Sequence, residues 1–216
     1  MSDGAVVIAG AHGKIGLRLG RLLVGTGHTV RGIIRNPDQG ADLEAVGVTP
    51  IVFDLEHDDR DLADEVTGAT AAVFAAGAGP GSGDKRKETM DRDGAIRLIE
   101  ACRKGEVQRY VMVSAMGARD PDLPGDGFPA YLRAKAQADA ALMRSGLQWT
   151  IVRPGGLTDD PGTGRVTVGE ELSRGSIARD DVAAVLAAVL ATPATIGRAF
   201  DVISGTTPIE EALAAL

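Results

Sequence analysis

The chain has 216 residues and a formal net charge of −7, and hydrophobic residues make up 44% of it. This length predicts one domain, residues 1–216, with room for a substantial core. The acidic balance argues against a nucleic-acid partner, because phosphate binding favours a basic face.

The sequence also argues against a membrane protein and against an oxidising compartment. Its longest apolar stretch, Val182–Ala191, is too short to span a bilayer, and the first strand begins without a secretory signal before it. The single cysteine, Cys102, excludes an intramolecular disulfide and falls in a helical pattern, where a small core residue is expected. We therefore expect a cytoplasmic protein that binds a small-molecule substrate. No feature of the sequence specifies an oligomeric state.

A glycine-rich stretch near the amino terminus organises the chain. The apolar run Ala5–Ala9 is typical of a strand buried on both faces, and a helical pattern follows it. Between them, Gly10-x-x-Gly13-x-x-Gly16 supplies a tight turn, close approach to a pyrophosphate and close packing of the helix. A helix N-terminus also favours an anion. The residues assigned to this dinucleotide site are Gly10, His12, Gly13, Lys14, Ile15 and Gly16.

The end of the second predicted strand, Thr29–Ile34, bears on the choice between NAD and NADP. Enzymes that use NAD carry an Asp or Glu near this position, where it accepts hydrogen bonds from ribose hydroxyls. This chain has Arg35 and Asn36 instead, and a guanidinium can pair with a 2′-phosphate in a bidentate fork. We therefore predict NADP in preference to NAD, with Arg35 and Asn36 in the cofactor site. A solvated loop arginine is the alternative.

Two further strand ends are expected at the same site, because doubly wound sheets bind ligands beyond the carboxyl ends of their strands. Asp54 and Leu55 follow the third strand, Thr49–Phe53, and could contact an adenine. Alternatively, Asp54 caps a short helix over Asp61–Val66. The fourth strand, Thr70–Ala76, ends in small residues that let the backbone approach a ribose. The small residues assigned to the site are Ala75, Ala76 and Gly77.

The candidate catalytic residues follow the fifth predicted strand, Gln108–Val113. Ser114 comes directly after this strand, and Tyr131 and Lys135 stand four residues apart at the start of a predicted helix. Residues at this spacing share one helical face, so the phenol and the ammonium can point at one site. The intervening stretch, Arg119–Phe128, is predicted to be a loop rich in Pro, Gly and Asp.

The rest of the pattern completes an α/β fold. Further helices are predicted over Asp38–Val46, residues 84–104, Val182–Leu190 and Pro208–Leu216, and further strands over Gln148–Val152, Val166–Val168 and Ala199–Ser204. Asp180 or Asp181 is the candidate cap of the helix that begins at Val182. The alternation predicts a Rossmann fold, a doubly wound and mostly parallel sheet with helices on both faces. Residues 158–179 are expected to form a small C-terminal lid.

With these motifs the chain resembles the atypical short-chain dehydrogenases/reductases. Within them, it is most similar to the small NAD(P)H-binding proteins grouped as NAD-dependent epimerase/dehydratase-like. The resemblance extends over nearly the whole chain. The segments that carry it are Tyr131–Lys135, Ser145–Leu147, Thr150–Gly155, Ile203–Gly205 and Pro208–Ala212.

The resemblance implies roles for individual residues. Tyr131 would be the general acid/base, and the Lys135 ammonium would favour its phenolate and bind the nicotinamide ribose. Ser114 would polarise the substrate carbonyl. The loop after the sixth strand would lie against the nicotinamide, with its backbone groups meeting the carboxamide. The further cofactor contacts assigned are Val113, Pro154, Gly155, Gly156 and Leu157.

The chain departs from active members of the family at one position. In the extended enzymes the catalytic serine often falls two residues further on, where this chain has Met116. Three functions therefore remain: an NADP(H)-dependent oxidoreductase acting on a small carbonyl-like substrate, an epimerase or dehydratase that retains its cofactor, and an NADPH-binding sensor without chemistry. The small lid favours a small carbonyl, quinone or flavin-like acceptor over a nucleotide-sugar. We favour the oxidoreductase.

Overall fold

A computed structural model describes residues 4–79, 81–121 and 129–216. The strands are β1 (Ala5–Ala9), β2 (Val30–Ile34), β3 (Thr49–Val52), β4 (Ala69–Phe74), β5 (Arg109–Val113), β6 (Gln148–Pro154), β7 (Gly156–Thr158), β8 (Arg165–Gly169), β9 (Ser176–Ala178), β10 (Arg198–Ser204) and β11 (Thr207–Pro208). The helices are α1 (Lys14–Gly25), α2 (Gly40–Glu44), α3 (Leu62–Val66), α4 (Asp84–Arg86), α5 (Ala95–Lys104), α6 (Pro129–Met143), α7 (Arg179–Ala191) and α8 (Ile209–Ala214). Residues 122–128 of the predicted loop Arg119–Phe128 lie outside the described residues.

The main sheet has the order β11-β8-β10-β6-β5-β4-β1-β2-β3. Its strands from β10 to β3 run parallel, whereas β8 runs antiparallel to both β10 and β11. The chain reverses direction across the sheet between β1 and β4, which makes their carboxyl ends the switch point where such sheets bind ligands. The predicted mostly parallel Rossmann sheet is confirmed.

Helices cover both faces of the sheet, as the continuous apolar strands predict. In β1, Val6 and Ile8 lie in the same core as Leu19 of α1, whereas Val7 lies in the opposite core with Leu98 of α5. None of the helices in the described ranges is both long and apolar enough to cross a membrane. Because both faces are covered, a ligand site on the parallel part of the sheet must lie at a strand end.

Two predicted helices differ from the structure. The stretch 84–104 is helical throughout, but the segment Lys87–Gly94 between α4 and α5 is a π-helix. The predicted helix Asp38–Val46 is instead a 3-10 turn at Pro37–Gln39 followed by α2. Wide helical turns of the π type often occur at functional sites, and this one carries a fully buried acid, Asp91.

The prediction that Asp180 or Asp181 caps α7 is wrong. The helix begins at Arg179, with Ala178 in the capping position, so both acids lie in its first turn. The Asp181 carboxylate accepts hydrogen bonds from the backbone N–H groups of Thr163, at 2.9 Å, and Gly164, at 2.7 Å. The Asp181 carboxylate therefore ties the loop at Thr163 and Gly164, which precedes β8, to the first turn of α7.

Residues 158–179 are only partly separate from the sheet. They contain β8, which joins the main sheet through β10 and has Val166 fully buried. They also contain β9, which pairs with β7 in a small two-stranded parallel sheet. Both strands within residues 158–179 are therefore paired with other parts of the fold.

Gly16→Ala tests the close packing of α1 on the loop before it. A Cβ at Gly16 would collide with Gly10 O and lie 2.8 Å from Ala11 Cα. Because these are backbone atoms, we expect the substitution to lower the free energy of unfolding by about 1–3 kcal/mol, measured by chemical denaturation.

Gly25→Ala is the matched control on the same helix. A Cβ there meets nothing within 4 Å, so alanine should be neutral or stabilising by up to about 1 kcal/mol. Equal stability of the two variants would contradict the packing argument.

Candidate active site

The loop between β1 and α1 has the geometry that its glycines predict. Gly10 has a φ of +79°, and a Cβ there would come within 2.6 Å of Ala76 Cα, beyond the end of β4. Gly13 directly precedes α1, and a Cβ on it would lie 3.0 Å from Gly10 O. The first turn of α1 contains no acidic residue, and its N–H groups have no helical acceptor. The loop therefore offers an anion site at the helix N-terminus.

A cavity of about 320 Å³ opens beside this loop, next to the ends of β2 and β4. The predicted cofactor residues that line it are Gly10, His12, Gly13, Arg35, Leu55, Ala75, Ala76 and Gly77. The lining residues that were not predicted are Ile33, Ile34, Gln39, Phe53, Arg86 and Met90. Its place at the switch point and its mixed apolar and basic lining fit the adenosine half of a dinucleotide.

Arg35 lies at this cavity with its side chain 55% exposed. Its NH1 is 3.7 Å from Oε2 of Glu56, whose side chain is buried. The same carboxylate accepts hydrogen bonds from Arg86 at 3.2 Å and from the Thr89 hydroxyl at 2.6 Å. Because Arg86 and Thr89 supply these shorter contacts, the Arg35 guanidinium remains available to a ligand anion.

Asp54 and Leu55 occupy different environments. Leu55 lines the cavity, whereas the Asp54 carboxylate accepts the N–H of Glu56 at 2.8 Å and so stabilises the turn after β3. The alternative that Asp54 caps the next helix is wrong. Asp61 caps α3 instead, through a hydrogen bond of 3.0 Å from the Ala63 N–H.

Two basic residues of the glycine-rich loop are paired with acids. Lys14 Nζ lies 2.5 Å from Oδ2 of Asp159, although the lysine side chain is 64% exposed. His12 Nε2 lies 2.8 Å from Oδ2 of Asp42. A pyrophosphate at the loop would therefore share Lys14 with Asp159.

Two other predicted contacts are used within the fold. The Asn36 side chain accepts the N–H of Asp38 at 3.1 Å and caps the 3-10 turn. Ile15 is buried and belongs to the core beneath α1. Asn36 and Ile15 can therefore offer a cofactor their backbone amides, whereas their side chains are engaged within the protein.

Tyr131 and Lys135 share one face of α6, as their spacing predicts. Lys135 Nζ lies 5.8 Å from the centre of the Tyr131 ring. The lysine is 3% exposed, donates a hydrogen bond to Val113 O at 3.1 Å and lies 3.3 Å from Oδ1 of Asp91. The end of β5, the π-helical segment and α6 therefore meet at this ammonium.

Burial and nearby charges both affect the pKa of the Tyr131 hydroxyl. Burial raises the pKa of its hydroxyl above the ordinary value of 10.0; Lys135 lowers this pKa, whereas Asp91 and Asp139 raise it. Lys135 thus favours the phenolate, as expected, but burial and the two carboxylates oppose it. A raised pKa suits a group that donates a proton.

A second buried ion pair lies next to the first. Arg153 Nε donates to Oδ2 of Asp139 at 3.0 Å, and both side chains are buried. Burial raises the pKa of Asp139, while Arg153 and the nearby Ser114 hydroxyl lower it. Ser114 is 2% exposed, and neither its Oγ nor Asp139 Oδ1 has a hydrogen-bond partner of ordinary geometry among the described residues.

The loop after β6 uses its polar backbone groups within the protein. The bonds run from Met116 N–H to Pro154 O at 3.0 Å, from Gly155 N–H to Val202 O at 3.0 Å and from Gly156 N–H to Gly175 O at 2.9 Å. These three groups are thus engaged, and contact with a carboxamide would need other groups of the loop. Leu157 lies in β7 with its side chain 38% exposed.

The acids that surround Lys135 were not predicted from the sequence. Asp139 stands four residues after Lys135, so the spacing that linked Tyr131 to Lys135 also indicates Asp139. Asp91 could have been identified as an acid within the predicted helix 84–104, at a position that faces the core together with apolar residues. Nothing in the sequence indicated the ion pairs of Arg153 and Glu56, because these pairs depend on how separate elements pack.

Comparison with known proteins agrees with this site. Residues 10–193 match the model of a family described as NAD(P)H-binding. The chain is 41% identical over 209 residues to the uncharacterized sugar epimerase YhfK of Bacillus subtilis, a match that covers 96% of this chain and 98% of the relative.

Solved structures lead to the same family. One similar structure is that of an NAD-dependent epimerase/dehydratase-like protein from Bacillus halodurans. It superposes on this chain with a TM-score of 0.93 and 38% sequence identity, and the match covers 99% of this chain and 100% of the other. The oxidoreductase ylbE from Lactococcus lactis has a TM-score of 0.87 and 28% identity, covering 98% and 96%. The family inferred from the sequence is confirmed, and with it a nicotinamide cofactor. This chain belongs to the family of NAD(P)H-binding proteins, which includes epimerase-like and oxidoreductase members.

Proposed function

We propose that the protein is an NADPH-dependent reductase of the short-chain dehydrogenase/reductase type that acts on a small carbonyl-like substrate. The observation that carries this proposal is the Tyr131 phenol on the same face of α6 as the buried ammonium of Lys135, which lies 5.8 Å from the ring centre. Reduction of a carbonyl requires a proton donor, whereas oxidation of an alcohol requires a base. Burial raises the pKa of Tyr131, and this direction favours a proton donor and therefore reduction.

The chain's residues supply binding, orientation and the proton. The glycine-rich loop would hold the pyrophosphate, Arg35 the 2′-phosphate, and Lys135 the phenolate that forms at Tyr131. When bound, reduced nicotinamide supplies a hydride to the carbonyl carbon. The Tyr131 hydroxyl gives its proton to the carbonyl oxygen, so an alcohol forms. The phenolate then recovers a proton from solvent.

Ser114 has a smaller part in this proposal. Its hydroxyl is buried and lies near Asp139. We therefore propose that Tyr131 is the main group that polarises the substrate oxygen, while Ser114 supports the buried ion pair of Asp139 and Arg153.

Arg35→Ser tests the choice of cofactor. Loss of a guanidinium that pairs with the 2′-phosphate should weaken NADPH binding by about tenfold or more and leave NADH binding nearly unchanged. Fluorescence titrations with both nucleotides measure this, with Arg103→Ser as a control at an exposed position on α5. Equal losses for NADPH and NADH would contradict a role for Arg35 at the 2′-phosphate.

Tyr131→Phe tests the proton donor. Removing the hydroxyl should lower kcat for NADPH oxidation by at least about 100-fold and leave NADPH affinity within a factor of about two, because cofactor binding depends on other residues. Ser114→Ala should lower kcat by less than about tenfold. Comparable turnover in wild type and Tyr131→Phe would exclude Tyr131 as the donor.

The pH profile provides a separate test. A proton donor acts only while it is protonated, and burial raises the pKa of Tyr131 above 10.0. We expect kcat to stay level from neutral pH to about pH 10 and to fall above it. A fall centred near pH 7 would assign the proton to another group.

An epimerase that retains its cofactor is the second candidate, and the name of the Bacillus subtilis relative favours it. It predicts that NADP or NADPH co-purifies in a stoichiometric amount and that no carbonyl in a screen causes net NADPH oxidation. That pair of results would replace the reductase proposal. Tight NADPH binding without either kind of turnover would indicate a non-catalytic NADPH-binding protein.

A further inference from the structure

We infer that Asp91 is a positioning residue: it fixes the Lys135 ammonium beside Tyr131 and offsets part of the charge that this ammonium presents to the phenol. The inference rests on the proposed function for its catalytic meaning. Its structural content, an acid that acts on Tyr131 through Lys135, can be tested without any substrate.

The geometry places Asp91 against Lys135 on one side and the cofactor cavity on the other. Oδ1 lies 3.3 Å from Lys135 Nζ, and the two side chains are 0% and 3% exposed. Oδ2 accepts the N–H of Ala78 at 3.2 Å. A Cβ on Gly77, which lines the cavity, would lie 3.1 Å from Oδ1. One carboxylate therefore joins the turn after β4 to the lysine on α6.

The π-helical segment explains how an acid reaches this point. Asp91 lies near the middle of Lys87–Gly94, and this segment packs against α6. Its neighbour Asp93 is exposed and paired with Arg92 at 2.6 Å. The π-helical segment thus carries one buried acid, Asp91, whereas its neighbour Asp93 stays at the surface.

The charged groups of this cluster come from three elements. From the π-helical segment come Asp91 and Lys87, whose Nζ lies 5.4 Å from the Tyr131 ring centre, and from α6 come Lys135 and Asp139. On β6, Arg153 pairs with Asp139, and the neutral hydroxyl of Ser114 lies nearby. Lys87 also donates to Gly79 O at 2.6 Å. Lys135 is thus the buried cation beside the phenol, and Asp91 is the acid within ion-pair distance of it.

A buried ion pair can serve the fold alone, so stability does not distinguish the two roles. Replacing one partner is expected to destabilise whether or not the pair affects Tyr131. Titration of Tyr131 is the more direct test, because it reports whether the charge of Asp91 affects the phenol, which a stability measurement does not.

The chain has two tyrosines, which makes this titration direct. Tyr110 is fully buried, and burial raises its pKa well above the ordinary value. Tyrosinate absorbance near 295 nm therefore reports Tyr131 first as pH rises. In wild type we expect no tyrosinate below about pH 10. Tyr131→Phe identifies the signal by removing it.

Asp91→Asn keeps the size of the side chain and an acceptor for the Ala78 N–H but removes the charge. The Lys135 ammonium then acts on Tyr131 without its counter-ion, so the tyrosinate transition should move down by about one pH unit or more. Asp93→Asn is the matched control: it makes the same change in the same segment at an exposed site and should leave the transition in place.

Each outcome decides the inference. A lowered transition in Asp91→Asn alone supports it, and an unchanged or raised transition in the folded variant overturns it. If Asp91→Asn does not fold, Asp91→Ser with saturating NADP is titrated in the same way. If neither charge-removing variant folds, the pair serves the fold and the inference is overturned.

Activity separates this inference from the proposed function. If both hold, the alkaline limb of kcat in Asp91→Asn moves to lower pH together with the tyrosinate transition, and KM for NADPH changes less than kcat at high pH. If the tyrosinate transition moves while no carbonyl is reduced by the wild type, Asp91 acts on Tyr131 as inferred and the reductase proposal fails.

Discussion

The fold of this protein depends on a parallel sheet that is buried on both faces. Val6 and Ile8 of β1 point into one core and Val7 points into the other, so the central strand has no free face. Backbone amides of parallel strands are also paired along their length. Polar chemistry is therefore confined to the carboxyl edge, where strands end and loops leave the sheet. The glycine-rich loop, the cavity and the Tyr131 cluster all lie along that edge.

Within this edge, desolvation determines what the charged groups can do. Lys135, Asp91, Asp139 and Arg153 are all buried, and isolated charges there would be strongly unfavourable. Pairing each cation with an acid lowers that cost. Burial is the main influence on the pKa of Tyr131 and raises it; Lys135 lowers this pKa, whereas Asp91 and Asp139 raise it.

The amino-terminal loop also depends on the carboxyl-terminal part of the chain. Lys14 and Arg179 both pair with Asp159, and Arg18 pairs with Asp180 at 2.5 Å. These contacts tie the start of α1 to the segment that enters α7, and the two helices pack side by side. The anion site at the glycine-rich loop is therefore bordered by Asp159, which is 145 positions from Lys14 in sequence and belongs to the segment 158–179 that was predicted to form a lid.

The sequence alone determined the alternation of strands and helices in the parallel part of the sheet, the tight turn at Gly10, the close packing at Gly16 and the shared face of Tyr131 and Lys135. These features follow from local rules, namely apolar periodicity, the conformational freedom of glycine and the helical repeat. The sequence did not predict the short strands β7, β9 and β11. Tertiary structure decided the partners of the charges. Asp91 reaches Lys135 through a π-helical segment, Asp159 engages Lys14 across the molecule, and Glu56 is shared between Arg35 and Arg86. Such pairings depend on the packing of distant elements and on burial, which no short stretch of sequence encodes.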